Sequence, residues 1–113
     1  MMINGIGTDI VYKKRFYKKS DLIKRFLTKR ELEELFKIKN DNNKLDYVSG
    51  RWAAKESIVK ASSKKIIFSE ISILNSNEGK PIVFLNGKEV NNIIVSIAHE
   101  EEYAIAFSII VKV

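Results

Sequence analysis

The hydrophobic rhythm of this 113-residue chain changes once, near Lys65, and that change constrains the fold more than any other feature. Up to it, after one opening strand, apolar residues recur at helical spacing; beyond it, they recur in short runs broken by turn signals. Residues 3–11 read as the opening strand, with Ile6, Ile10 and Val11 β-branched and glycines at 5 and 7 marking close approach of another backbone or a ligand. Residues 13–26 read as a helical, strongly basic segment. Thr28-Lys29-Arg30-Glu31 is a capping box that starts a short helix with Leu32, Leu35 and Phe36 on one face. Residues 39–44 read as a loop. A longer helix over 45–61 follows, carrying Tyr47, Ala54, Ile58 and Ala61 on one stripe.

Strands are then predicted at 66–74 and 81–85, around a turn at 75–79. After Asn86-Gly87, a second antiparallel pair runs over 93–98 and 103–111, joined through 99–102. One strand, three helices and four strands give an α+β class, with helices on one face of a mainly antiparallel sheet. Residues 1–113 have the size of a single domain. The last two strands are apolar enough to expect cover on both faces, the outer one from another subunit.

Charge narrows the partners. The formal net charge is +6. Nine of the basic residues fall at 13, 14, 15, 18, 19, 24, 25, 29 and 30, a stretch with one acid, Asp21. Such a segment is a solvated face or a docking surface for an acidic partner: nucleic acid, anionic membrane or acidic protein. The chain has no cysteine and one histidine, which disfavours zinc and copper sites. No apolar run is long enough to span a bilayer, and no secretory signal pattern opens the chain, so a cytoplasmic protein is expected.

Three motifs could carry chemistry. Gly5-Ile6-Gly7-Thr8-Asp9 is a glycine-lined strand bearing a carboxylate, which alone could equally be a turn former. In Trp52-Ala53-Ala54-Lys55-Glu56-Ser57-Ile58-Val59-Lys60, the residues Trp52, Glu56 and Lys60 share a helix face, with Arg51 about one turn before Lys55. As a plain surface pair, Glu56 and Lys60 would contribute about 0.3–0.5 kcal/mol. A carboxylate beside a packing tryptophan is instead expected to be partly buried and to need a cation. The third motif, Val95-Ser96-Ile97-Ala98-His99 with Tyr103-Ala104, sets the only histidine where a strand gives way to a turn, either as a ligand contact or as an ordinary loop residue. Asp9 and Glu56 together would make an all-oxygen site of the kind that holds Mg²⁺ against a phosphorylated substrate. No Walker-type loop is present.

In this order, these motifs, with Gly50, Ala61 and the hairpin Asn77-Glu78-Gly79-Lys80-Pro81, resemble the holo-acyl-carrier-protein synthase family, the small trimeric branch of the phosphopantetheinyl transferases. The resemblance covers essentially the whole chain. It implies an enzyme that moves phosphopantetheine from coenzyme A to an acyl carrier protein. It implies Mg²⁺ ligation by Asp9 and Glu56, with Lys60 on the coenzyme A phosphates and Arg51 and His99 as further coenzyme A contacts. Arg15 would meet the carrier protein, with Lys18, Lys19, Lys24 and Arg25 extending that surface. Active sites would lie between subunits of a homotrimer.

The sequence departs from the family pattern in three places. Ser62-Ser63-Lys64-Lys65 replaces a longer, glycine-containing loop, Thr8 stands where an aliphatic residue is common, and Ala98 replaces a serine. A nucleic-acid-binding module using Phe16, Tyr17 and Phe26 is the main rival, and a non-catalytic homologue that keeps only the carrier surface is the second.

Overall fold

The computed structural model describes residues 2–113. Strand β1 (Ile3–Tyr12) leads through a 3-10 turn (Lys13–Phe16) into helices α1 (Ser20–Phe26), α2 (Lys29–Lys37) and α3 (Asp41–Ala61). A second 3-10 turn (Phe68–Glu70) precedes β2 (Ile71–Asn75), β3 (Pro81–Leu85), β4 (Lys88–Glu89), β5 (Ile93–His99) and β6 (Tyr103–Val111). The expected single sheet is two antiparallel sheets, ordered β1-β6-β5 and β2-β3-β4. Strand β1 pairs with β6 rather than with its neighbours in sequence, which closes the chain's two ends into one sheet.

The long helix α3 lies on the first sheet because two side chains are missing beneath it. A Cβ on Gly5 would stand 1.9 Å from the carbonyl oxygen of Ala61, and one on Gly7 would stand 2.0 Å from that of Ser57. The close approach read from these glycines is therefore to the helix backbone. Ala53, Ala54 and Ile58 complete the contact and are fully buried. A second packing centre is aromatic: Trp52 meets Phe26 and Phe68 edge-on, at ring separations of 5.1 and 5.0 Å.

Several boundaries differ from expectation. The basic segment is not one helix: it breaks between the first 3-10 turn and α1, where Lys18 adopts φ 55°. Residues 41–44 are the first turn of α3, because the Asn40 side chain accepts the Asn43 amide at 3.0 Å and caps the helix there. The strand expected from residue 66 begins only at Ile71, after the 3-10 turn. Phe36, assigned to the apolar face of its helix, is 68% exposed, whereas Leu35 is buried. The Thr28–Glu31 capping box forms as read, and the Asn86-Gly87 turn has both residues at positive φ, as a two-residue hairpin requires.

The edge of β2 is closed by side chains rather than by another strand. Glu31 accepts the Ile73 amide at 2.8 Å, Glu34 accepts the Asn75 amide at 3.1 Å, and Arg51 donates to the Ile73 carbonyl at 2.9 Å. Groups that an open edge would offer to another chain are thereby used internally. The outer face of β1-β6-β5 is bare: Ile6, Ile10, Ile94, Ile105 and Phe107 are all exposed.

Candidate active site

Asp9 follows Gly5 and Gly7 on the same side of β1, the side covered by α3. Its side chain is 13% exposed, and Lys60, in the last turn of α3, reaches it. The Lys60 ammonium donates to Asp9 Oδ1 at 3.1 Å and to the Thr8 carbonyl at 3.0 Å. Glu56 lies one turn before Lys60 on the same helix face and is partly buried, as the neighbouring tryptophan implied. Close seating of α3 on the two glycines thus brings Asp9 and Lys60 together in a seam, with Glu56 one turn before Lys60 on the same helix face. Asp9 and Glu56 are oxygen donors on rigid elements, and Lys60 keeps half its side chain in solvent.

His99 ends β5 opposite Ala104 and stands apart from this seam. It borders a cleft of about 320 Å³ that is also lined by Arg51, Asn75 and Gly79. Neither this cleft nor the larger one beside it is lined by Asp9, Glu56 or Lys60. Within the chain, therefore, the five proposed catalytic and coenzyme A residues form two clusters. Arg51 is mostly buried and already engaged: besides Ile73, it donates to Asn75 Oδ1 at 3.0 Å, pairs with Glu34 at 3.5 Å and lies 4.1 Å from the centre of the Tyr47 ring. Burial pushes the Tyr47 phenol up, so it stays protonated and donates to Glu34 at 2.7 Å.

Arg15, Lys18, Lys19, Lys24 and Arg25 are all exposed. Arg15 lies 4.7 Å from the centre of the Trp52 ring, so the basic surface begins beside the aromatic packing centre. Two of the three aromatics that a base-stacking surface would need are not available, because Phe16 and Phe26 are buried. The glycine-free loop after α3 is closed by Ser62, whose hydroxyl donates to the Lys64 carbonyl at 2.8 Å and accepts the Lys64 amide at 3.0 Å.

Two features escaped sequence reading. Lys55, between the metal candidate Glu56 and the alanines, is fully buried and pairs with an equally buried Glu31 at 2.6 Å. Its ammonium also donates to the Phe26 carbonyl at 2.6 Å. Burial pushes this ammonium below the ordinary lysine range, against the pull of the Glu31 carboxylate. Lys13, counted with the surface charges, is instead buried against Asp46. The only sequence signal for it is that it continues the inward alternation of Gly7, Asp9 and Val11 beyond the end of β1.

A family model described as the 4'-phosphopantetheinyl transferase superfamily matches residues 5–108. The chain belongs to the 4'-phosphopantetheinyl transferase superfamily. A holo-[acyl-carrier-protein] synthase of Mycoplasma capricolum is 38% identical over 108 residues, spanning 96% of this chain and 94% of that protein. One from a Geobacillus strain is 42% identical over 117 residues, spanning 96% and 97%. Among solved structures of the superfamily, the Bacillus anthracis holo-(acyl-carrier-protein) synthase in complex with CoA (3',5'-ADP) covers both chains fully, with a TM-score of 0.87 and 31% identity. The Neisseria meningitidis holo-[acyl-carrier-protein] synthase reaches a TM-score of 0.83 at 31% identity, over 98% of this chain and all of that one. The expected α+β phosphopantetheinyl transferase fold holds over the length of the chain.

Proposed function

We propose that this chain transfers the 4'-phosphopantetheine group of coenzyme A to a serine of an apo acyl carrier protein, giving the holo carrier and 3',5'-ADP, in support of fatty acid synthesis. The observation that carries the reading is the seam of Asp9, Glu56 and Lys60, set by glycine-seated packing in a chain of the phosphopantetheinyl transferase superfamily. We take residues 1–113 as one such domain, working in the cytoplasm.

The donor set fits Mg²⁺. Asp9 and Glu56 offer hard oxygens, no sulfur is nearby, and Asp9 already faces a cation in Lys60. Magnesium held by these two carboxylates would neutralise charge on the coenzyme A diphosphate. The carrier serine oxygen attacks the β-phosphorus, the bond from that phosphorus to the bridging oxygen breaks, and 3',5'-ADP departs. Glu56 takes up the serine proton. Lys60, half in solvent and on a flexible stem, shifts from Asp9 to the phosphate oxygens and supplies positive charge where negative charge develops. Arg51 and His99 border the cleft proposed for the rest of coenzyme A.

The carrier protein would dock on Arg15, Lys18, Lys19, Lys24 and Arg25, whose sign suits a small acidic partner. We further infer a homotrimer with active sites between subunits. Two observations support it: the bare apolar face of β1-β6-β5 needs cover, and the seam and the His99 cleft are separate within one protomer. Burial of Phe16 and Phe26 counts against the nucleic-acid reading, and the glycine-free loop at 62–65 is the one feature on which the non-catalytic reading rests.

The deciding experiment incubates the protein with Mg²⁺, coenzyme A and an apo acyl carrier protein, with and without chelator, and weighs the carrier by mass spectrometry. A gain of one phosphopantetheine, lost with chelator, is expected. No gain with several carriers and a well-folded sample would remove the reading.

A further inference from the structure

Lys13 is one of the few buried charges in the molecule, at 5% exposure, and every contact it makes leads to the neighbourhood of His99. Its ammonium lies 2.5 Å from Asp46 Oδ1 and also donates to the Glu100 carbonyl, one residue past His99. Its backbone amide donates to the Glu102 carbonyl at 2.8 Å. The turn so gripped is closed by the Glu100 amide, which donates to the Tyr103 carbonyl at 2.9 Å. The other oxygen of Asp46, Oδ2, lies 3.6 Å from His99 Nδ1, an ion-pair separation rather than a hydrogen bond.

One lysine thus ties together the 3-10 turn after β1, the first half of α3 and the turn that follows His99. A buried ammonium needs such partners, and removing it would release Asp46 and the Glu100 carbonyl together, while the backbone bond to Glu102 stays. His99 and Asp46 both line the cleft shared with Arg51 and the larger one of about 590 Å³ shared with Lys14, Glu100, Glu101 and Glu102. The ring stands between the two, and what faces its Nδ1 side is Asp46. The Asp46 carboxylate bounds the ring on its Nδ1 side, and Nε2 is the ring nitrogen away from it.

We propose that Lys13 is a positioning residue for His99, acting through the carboxylate they share, Asp46, and through the turn at residues 100–103. Its kinetic consequence rests on the reading of His99 as a coenzyme A contact. Lys13 carries no carrier-docking role of its own, although it opens the basic run, because its charge is spent inside the fold.

The test uses the full chain and the fact that His99 is its only histidine, so nitrogen-15 spectra of the imidazole give one unambiguous pair of ring signals. Lys13→Met keeps most of the stem and removes the charge. The ring signals are expected to shift and broaden as the ring loses its fixed surroundings, and KM for coenzyme A to rise about threefold to tenfold with kcat and the carrier KM little changed. Lys13→Arg should recover much of both. Lys37→Met, an exposed change at the end of α2, should leave both as they were. Should Lys13→Met fail to fold, Asp46→Asn removes the shared charge at constant size and is expected to alter the ring signals in the same way. Unchanged ring signals in whichever of these variants folds overturn the proposal, whatever the kinetics. A His99→Ala variant with an unchanged KM for coenzyme A would instead remove His99 as a coenzyme A contact and leave the Lys13 coupling standing.

Discussion

The Lys60 ammonium stands 3.1 Å from Asp9 Oδ1, so the carboxylate proposed to hold a metal is already held by a cation of the same chain. Each of the two has a second use in the proposed reaction, Asp9 toward magnesium and Lys60 toward phosphate. Asp9→Ala and Glu56→Ala are each expected to lower carrier modification by at least about a hundredfold to a thousandfold, the loss typical when one preorganised charge is removed. The fold should survive both changes, since Lys60 is half in solvent and can rehydrate. Turnover is followed by the mass of the carrier and folding by circular dichroism. A folded Asp9→Ala protein with full activity would sink the assignment.

Gly7→Ala should do the opposite, damaging the fold before the chemistry. The new Cβ would stand 2.0 Å from the Ser57 carbonyl oxygen, a backbone atom that cannot swing aside. Helix α3 must lift from β1, at a cost of about 3 kcal/mol or more, the upper end of what overpacking exacts. A fall in unfolding free energy of that order, read as a lower urea midpoint, is expected. Because lifting α3 also moves Glu56 and Lys60 away from Asp9 as a unit, the folded fraction should lose transfer as well. Gly5→Ala should behave alike, against the Ala61 carbonyl at 1.9 Å.

The buried Lys55–Glu31 pair predicts a different pattern. Lys55→Met leaves a fully buried Glu31 carboxylate whose remaining partners are the Thr28 and Ile73 amides. Breaking such a pair on one side costs about 3–5 kcal/mol. Stability by denaturant melt should fall by that amount, and at a temperature where the variant is folded, kcat should stay within about threefold, because the Lys55 ammonium bonds Glu31, Phe26 and Phe68 and not Asp9, Glu56 or Lys60. A Lys55→Met variant as stable as its parent would show that the pair contributes nothing net.

Legibility followed locality. The capping box at Thr28, the Asn86-Gly87 turn and the Glu56–Lys60 spacing are rules over a few residues, and each was readable. The break at Lys18 was not, since the residues from 13 to 26 keep a helical pattern and only the tertiary capture of Lys13 explains the turn. Two sheets were read as one because the pairing of β1 with β6 joins the two ends of the chain. Among the chemical residues, Asp9 and Lys60 were legible as a motif, but their contact depends on glycines that let α3 settle. Burial of Lys55 escaped notice and Lys13 was counted with the surface charges for a common reason: in sequence a lysine reads as surface, and burial of its charge depends on Glu31 and Asp46, which lie 24 and 33 positions away.

The bare face of the first sheet carries the last prediction. Ile6, Ile10, Ile105 and Phe107 alternate outward along β1 and β6, and Ile10 pairs directly with Ile105 in the register. An apolar surface of this kind in water invites association. A trimer packed through this face would bury it. Phe107→Lys combined with Ile10→Lys places two charges at the centre of the face without touching α3. Sedimentation should then report a trimer for the parent chain and a monomer for the variant. If active sites lie between subunits, transfer should fall at least tenfold while the Asp9–Lys60 seam stays intact. An active monomer, by contrast, would mean that one protomer holds the whole site and that His99 acts, if at all, from outside it.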